Sequence, residues 1–224
     1  MKIALRGEGP TDMGKNDNGN FVKGPMVLLI EKLDCYHSLL ANCFGGEPEY
    51  IEWVLIDKNK IKKDKHKRRT FAQRSLKEQD MERKGFVRYA ESFSHLAAEE
   101  EADLVIFFVD ADKDEYEKRY KSVKDGLAIG GYKERGVAMV PNKISEAWLL
   151  CCDKPRDCNK YESFPTGDES NSRHPKKMIR DMGKTARQIA EDCDPNQISM
   201  PSFDRFREDF KEAINNYCRF EVCV

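Results

Sequence analysis

The segment from Leu104 to Asp114 constrains the fold of this chain more than any other. It reads Leu-Val-Ile-Phe-Phe-Val and then Asp-Ala-Asp-Lys-Asp. A continuous apolar run of this length, mostly β-branched or aromatic, is typical of a strand buried on both faces, as in parallel sheets. Ligands of open α/β sheets bind just beyond the carboxyl ends of such strands. The segment therefore predicts an α/β fold with Asp110 and Asp112 at the ligand-binding edge of its sheet.

Strands and helices alternate along the rest of the chain. The predicted strands are 2–6, 50–56, 104–109 and 137–140, and the predicted helices are 24–33, 86–100, 115–127, 144–152, 175–191 and 202–216. This alternation indicates βαβ units and a mainly parallel sheet of about four strands flanked by helices. We expect an α/β domain over residues 1–152 and a C-terminal helical extension over 153–224 that packs on it. The polar stretches up to Asn20 and over 153–174 are expected to be loops.

Composition predicts a cytoplasmic protein. The net charge is −1 although 35% of the residues are charged, so any nucleic-acid site has to be local. No apolar run reaches the length of about 18 residues that a membrane helix needs, and no signal peptide precedes the first strand. The eight cysteines show neither a C-x-x-C pair nor zinc spacing, so reduced and mostly packed thiols are expected.

Three carboxylates at alternate positions follow the buried strand: Asp110, Asp112 and Asp114. Neighbouring carboxylates repel, so a divalent cation with oxygen ligands is the simplest compensation. A calcium-binding EF-hand loop is excluded, because Glu115 and Lys121 occupy the positions of its glycine and bidentate glutamate. Two other interpretations stay open, namely aspartates that cap the following helix and the D-x-D pair of a nucleotide-sugar transferase. Asp114 is assigned to helix capping or to outer-sphere support of the metal.

Glu8 follows the first predicted strand and is expected at the same sheet edge as Asp110. Residues 9–16 are one residue short of a phosphate-binding P-loop. That interpretation is disfavoured, because Asn16 replaces the metal-binding hydroxyl and both Glu8 and Asp12 add negative charge to a phosphate cradle. Glu8 is instead a lone carboxylate at the end of the first strand and a candidate metal ligand beside Asp110 and Asp112. Asp12 is a candidate for a second metal or for support of the first.

Glu146 lies just beyond the fourth predicted strand, where a helix begins. A glutamate in the first turn of a helix also interacts favourably with the helix dipole, and this interpretation stays open. Its position after a strand makes Glu146 a candidate catalytic residue alongside Glu8 and Asp12.

The run 58–69 contains eight lysines and arginines in twelve positions. Such a run is ordinarily a solvated loop. Because this one follows a strand, it is also a candidate for binding a nucleic-acid backbone, with steeply salt-dependent affinity. The residues assigned to this contact are Lys62, Lys63, Lys65, Lys67, Arg68 and Arg69.

Taken together, these motifs resemble the TOPRIM domain shared by topoisomerases, primases and OLD-type nucleases. The shared features are the first-strand glutamate in Gly-Glu8-Gly, the strand that ends in Asp110-Ala-Asp112, and the alternating strands and helices. The chain is also similar to small stand-alone bacterial TOPRIM-like proteins of unknown function. That similarity adds Glu-Ala-Trp-Leu-Leu at 146–150, Pro-Lys-Lys at 175–177, Gly-Lys-Thr at 183–185 and Pro-Ser-Phe-Asp-Arg-Phe at 201–206.

The resemblance implies a Rossmann-like TOPRIM fold and a Mg²⁺- or Mn²⁺-dependent nuclease that cleaves DNA or RNA. Asp110 and Asp112 would hold the metal, and Glu8 would be a third ligand or the general acid or base, with one or two metals bound. The resemblance also implies an ATPase partner in a bacterial phage-defence system. The alternative is a non-catalytic subunit that keeps the fold and binds nucleic acid or a partner protein. Lys184, or the pair Lys176 and Lys177, are candidates to supply positive charge to the transition state, and the simpler interpretation is that they are ordinary surface lysines.

Overall fold

A sheet of four parallel strands forms the centre of the computed structural model. The structure describes residues 1–7, 12–67, 78–112, 115–155 and 158–221, with the backbone alone at 65–67, 78–84 and 220–221. The four strands are β1 (Lys2–Arg6), β4 (Glu52–Leu55), β5 (Leu104–Phe108) and β6 (Gly136–Met139), in the order β4-β1-β5-β6. The prediction of an α/β fold with a parallel sheet of about four strands is confirmed.

Helices cover both faces of this sheet. One face carries α1 (Pro25–Glu31), α2 (Asp34–Phe44), α6 (Glu146–Asp153), α7 (Pro175–Asp181), α8 (Ala186–Asp192) and α9 (Pro201–Glu221). The other face carries α3 (Lys58–Lys67), α4 (Glu78–Glu99) and α5 (Tyr116–Ile129). Within the described ranges, no helix is both long and apolar enough to cross a membrane.

Strand β5 shows why the fold has three layers. All five of its residues are buried, and successive side chains point to opposite faces. Ile106 and Phe108 pack into the core beneath α1, α6 and α9, while Val105 and Phe107 pack against α4 and α5. Fully burying one such side chain stabilises the fold by about 1.5–3 kcal/mol. A strand that is apolar on both faces therefore needs helices on both sides.

The C-terminal helices share a core with the sheet. The apolar face of α9 has helical spacing, with Phe203, Phe206 and Phe210 buried together. The ring centroids of Phe203 and Phe206 lie 5.0 and 5.8 Å from that of Trp148 in α6. The Trp148 indole nitrogen donates a 2.8 Å hydrogen bond to the Ser202 hydroxyl, so this buried polar atom is satisfied.

The predicted loop up to Asn20 contains a hairpin instead. Strands β2 (Gly14–Asp17) and β3 (Asn20–Lys23) pair antiparallel. They are joined by Asn18 and Gly19, whose φ angles of 49° and 84° are both positive. Asn-Gly is the preferred sequence for such a two-residue turn. The signal was therefore present in the sequence, although the polar flanking residues concealed it.

Two further helical segments differ from the prediction. The basic run 58–69 was expected to be a solvated loop, but its described residues, 58–67, form α3. The predicted helix 175–191 is two helices, since Gly183 has a φ of 67° and ends α7. A capping box then begins α8, in which the Thr185 hydroxyl accepts from the Gln188 N–H and the Gln188 side chain accepts from the Thr185 N–H.

The prediction of reduced thiols was wrong for four cysteines. Cys151 is disulfide-bonded to Cys158, and its neighbour Cys152 is bonded to Cys193. Their Cα atoms lie 5.1 and 5.2 Å apart, within the usual range for a disulfide. The spacing along the chain gave no sign of these pairs, because Cys152 and Cys193 meet only when α8 packs against α6.

Candidate functional site

The carboxyl ends of all four parallel strands lie at one edge of the sheet. Strands β1 and β5 are neighbours, with Arg6 paired to Phe107 in the register. Arg6 is buried, and its guanidinium donates a 2.9 Å hydrogen bond to the carbonyl of Phe108. Its charge also lies over two rings, 4.7 Å from the centroid of Tyr89 and 5.0 Å from that of Phe107. The ends of the two central strands are thus held together where the site residues begin.

Sequence reasoning did not identify Arg6 as a site residue. The signal was a charged residue ending the otherwise apolar run Ile3-Ala-Leu5. Burying a guanidinium is costly unless it has partners, so a charged residue at a buried strand position is unusual.

Asp110 connects the loop after β5 to the loop after β6. Its Oδ1 accepts a 3.0 Å hydrogen bond from the N–H of Ser145, the residue that begins α6. Two backbone bonds reinforce the contact, from Ala111 N–H to the Pro141 carbonyl (3.1 Å) and from Asp112 N–H to the Lys143 carbonyl (2.8 Å). Asp110 therefore supports the start of α6, a helix 35 residues further along the chain. The capping interpretation had placed this role at the following helix.

Asp112 is exposed and has a φ of 53°, in the left-handed region. A non-glycine residue in this conformation is uncommon and is found mainly at turns and functional sites. Lys143, whose carbonyl receives the Asp112 N–H, is also left-handed, with a φ of 70°. The two loops after β5 and β6 thus have a specific, mutually bonded shape.

Glu146 lies in the first turn of α6, directly after the Ser145 that Asp110 holds. Its Oε2 atom is buried and has no hydrogen-bond partner in the described part of the chain. Burial raises the pKa of the Glu146 carboxyl above its ordinary value, against the opposing effects of Lys176 and His174. A buried carboxylate oxygen without a partner is costly, and such atoms are found at metal-binding and proton-transfer sites.

Lys176 supplies positive charge to this region. Burial lowers the pKa of its ammonium group, but the carboxylates of Glu146, Glu169 and Asp110 together outweigh burial and raise the pKa above its ordinary value. The Lys176 ammonium forms an ion pair with the Glu169 carboxylate at 3.6 Å. The Lys176 backbone N–H donates to Nδ1 of the buried His174, which begins α7. Sequence reasoning named Lys176 but missed His174, because that histidine has no partner at a recognisable spacing.

The other two lysines predicted to aid a transition state have different partners. Lys177 pairs with Asp181 at 2.7 Å, one turn further along α7. Lys184 pairs with Asp153 at 2.7 Å, at the C-terminal end of α6. Among the three, Lys176 is the one whose charge acts on Asp110 and Glu146.

The loop after β6 is fixed from its other side as well. The Lys143 ammonium donates to the carbonyls of Ser163 (3.0 Å) and Phe164 (2.9 Å). Asn142 donates to the Glu162 carboxylate at 3.4 Å, and Glu162 also accepts from the Ser202 N–H at 3.1 Å in the first turn of α9. The C-terminal helix and the loop that precedes Glu146 are therefore joined through Glu162.

Asp12 lies on the face of the sheet that carries α1. Its carbonyl accepts a 3.0 Å hydrogen bond from the N–H of Met26, in the first turn of α1. Gly24 packs so closely that a Cβ there would lie 2.3 Å from this carbonyl oxygen. The half-buried Asp12 is thus held where the hairpin meets α1.

The basic run begins at the same sheet edge, immediately after β4. Asp57 starts α3, since its Oδ1 accepts from the N–H groups of Asn59 (2.6 Å) and Lys60 (3.1 Å). Ile61 is buried against α4, whereas Lys62 and Lys63 are exposed. Lys65 and Lys67 continue the helix, and Arg68 and Arg69 lie outside the described residues, as do Glu8 and Asp114.

The described residues thus bring Asp110, Glu146 and Lys176 together. They contain no group of three or more His, Cys, Asp or Glu side chains positioned to hold a metal ion. The predicted set of Glu8, Asp110 and Asp112 is not covered by that finding, because Glu8 is not described. Comparison with known proteins finds no matching family model, no matching curated protein and no matching solved structure, so no family is assigned to this chain.

Proposed function

We propose that this chain is a Mg²⁺- or Mn²⁺-dependent nuclease of TOPRIM type that hydrolyses phosphodiester bonds in DNA or RNA. The observation that supports the proposal most is the buried, unpartnered Oε2 of Glu146 at the carboxyl edge of a parallel sheet, beside Asp110 and Lys176. Sites of open α/β sheets lie at this edge. The donor set also fits, because Mg²⁺ and Mn²⁺ bind carboxylate oxygens.

Asp110 and Asp112, with Glu8, would hold the metal. When bound, the metal polarises a phosphate oxygen and lowers the pKa of a bound water. Glu146 is suited to holding a proton, because burial raises the pKa of its carboxyl. The ammonium of Lys176 would oppose negative charge that accumulates on the phosphate. Asp12 would support the carboxylates from the α1 side.

The exposed lysines of α3 provide the contact to the nucleic-acid backbone. Lys62 and Lys63 project from a helix that begins at the sheet edge where the carboxylates lie. Lys65, Lys67, Arg68 and Arg69 extend the positive charge along the sequence. Each phosphate that they neutralise releases counterions, so binding has to weaken steeply as salt increases.

The test is cleavage of labelled DNA and RNA by the purified chain, with and without Mg²⁺ or Mn²⁺. Asp110→Asn and Asp112→Asn should each reduce cleavage by about 100-fold or more, because each removes a charged ligand. Asp125→Asn is the matched control, since Asp125 forms a surface ion pair with Lys121 on α5. Full cleavage by Asp112→Asn, or cleavage in excess EDTA, would refute the proposal.

A non-catalytic subunit that binds nucleic acid or an ATPase partner is the second candidate. It is favoured by the hydrogen bond that Asp110 Oδ1 already accepts from Ser145. It is favoured too by the lack of a three-carboxylate group within the ranges that the structure describes. Calorimetric titration with Mn²⁺ separates the two candidates: absence of binding selects the non-catalytic subunit, and binding lost in Asp112→Asn selects the nuclease.

A further inference from the structure

Six of the seven described cysteines lie in pairs within one helical layer. Two pairs are the disulfides Cys151–Cys158 and Cys152–Cys193. The third pair is Cys43, at the end of α2, and Cys218, near the end of α9. The seventh is Cys35, a free cysteine on α2.

The Sγ atoms of Cys43 and Cys218 are 2.6 Å apart, although 175 residues separate them along the chain. This is closer than two unbonded sulfur atoms normally approach. The pair is held there by the packing of α2 against α9, within the core that also contains Leu39, Leu40 and Tyr217. Both side chains are half-buried, so a small oxidant can reach them.

We propose that Cys43 and Cys218 form a third disulfide, which joins α2 to the C-terminal helix, when the protein meets a disulfide oxidant such as oxidised glutathione. The thiolate of Cys43 attacks one sulfur of the oxidant, forms a mixed disulfide and releases one thiol. The thiolate of Cys218 then attacks the Cys43 sulfur and releases the second thiol. Two protein thiols are oxidised, one oxidant disulfide is reduced to two thiols, and the two protons pass to the released thiols.

The environment of Cys218 affects how readily this reaction proceeds. Burial, together with the neighbouring Cys43 thiol, raises the pKa of Cys218 to about 12. Burial persists after Cys43 has entered the mixed disulfide, so little of Cys218 is thiolate at neutral pH and its attack on that disulfide is slowed. Formation of the Cys43–Cys218 disulfide should therefore become faster as pH rises from 7 to 9.

The new bond would close the longest loop of the three. The existing disulfides span 7 and 41 residues along the sequence, whereas Cys43 and Cys218 are 175 residues apart. In the chain-entropy description, a cross-link stabilises the fold more as its loop lengthens. The bond would also hold the end of α9, whose first turn contacts Glu162 beside the candidate site. The inference does not depend on the proposed function.

The experiment exposes the full chain to oxidised glutathione at pH 8, blocks remaining thiols with N-ethylmaleimide and maps the linked peptides by mass spectrometry. We expect a peptide pair joined through Cys43 and Cys218. Cys35→Ser, a cysteine on the same helix, should retain the link, and Cys218→Ser should lose it. The oxidised wild-type chain should melt about 10 °C above oxidised Cys218→Ser.

Mapping the unsubstituted chain needs no variant, so misfolding of a variant does not affect the result. The proposal is overturned if Cys43 and Cys218 are both recovered with N-ethylmaleimide attached while Cys151 and Cys152 are bridged. It is equally overturned if Cys43 or Cys218 is found linked to Cys35 instead.

Discussion

Replacing Glu146 with glutamine should make the metal-free protein more stable at pH 8. Above pH 4.5, the ordinary pKa of this carboxyl, an unfolded chain releases the Glu146 proton, whereas the folded chain retains it to a higher pH because burial raises the pKa. The folded state then binds more protons than the unfolded state, so stability falls as pH rises until the folded-state pKa has been passed. Glutamine does not titrate and removes this loss.

The size of the effect follows from the unpartnered Oε2 of Glu146. A buried polar atom without a hydrogen bond costs roughly 1–3 kcal/mol, and more when it is charged. The glutamine amide also needs a partner, so we expect a net gain of about 1 kcal/mol. For a chain of 224 residues this corresponds to a rise in Tm of about 2–4 °C.

The assay is thermal unfolding in EDTA at pH 5 and pH 8, followed by circular dichroism. The increase in Tm of Glu146→Gln over wild type should be larger at pH 8 than at pH 5. Glu169→Gln is the matched control, because Glu169 is exposed and contacts Lys176 at 3.6 Å, so its change should stay within about 0.5 kcal/mol. The assignment of a costly buried carboxylate is wrong if Glu146→Gln destabilises the protein at pH 8. It is also wrong if the substitution stabilises the protein equally at both pH values.

Two further predictions test the packing around the site. Gly126→Ala should destabilise the fold by about 2 kcal/mol in urea unfolding, because its Cβ would lie 2.3 Å from the Val87 carbonyl oxygen where α4 meets α5. Gly85→Ala, in open space on α4, should leave stability unchanged or raise it by about 0.5–1 kcal/mol, and equal losses in both variants would contradict the argument. Ser202→Ala should cost about 1–3 kcal/mol in the same assay, because the buried Trp148 N–H loses its acceptor; a neutral result would mean that another acceptor replaces the hydroxyl.

The sheet and most helices could be predicted because their signals are local. The run Leu104–Phe108 is buried on both faces, and its sequence alone shows that pattern. The phenylalanines of α9 recur at helical spacing and form its buried face. The break at Gly183 was missed because an apolar period continued across it, although a glycine is the residue most able to adopt the left-handed φ found there.

The candidate site was only partly predictable, because its contacts are non-local. The sequence placed Asp110 and Glu146 after the right strands, but the alternative capping interpretation linked Asp110 to the helix that follows it rather than to α6. In the structure Asp110 holds Ser145, which no periodicity could reveal. The same reason applies to His174 and Lys176, which approach Glu146 only once α7 has packed against α6. Convergence of Glu8 with Asp112 stays a prediction.

The position of β1 in the sheet has a consequence for the order in which the chain folds. Among the four strands of this sheet β1 is synthesised before the others, and it pairs with β4 and β5, so Lys2 meets Glu52 and Ile3 meets Leu104. At about 5–20 residues per second, a ribosome needs on the order of 10 s after finishing β1 to complete β5. During that time β1 has an unpaired edge, which is the kind of strand that templates aggregation. A central strand that is made before both of its neighbours therefore benefits from protection while they are being synthesised.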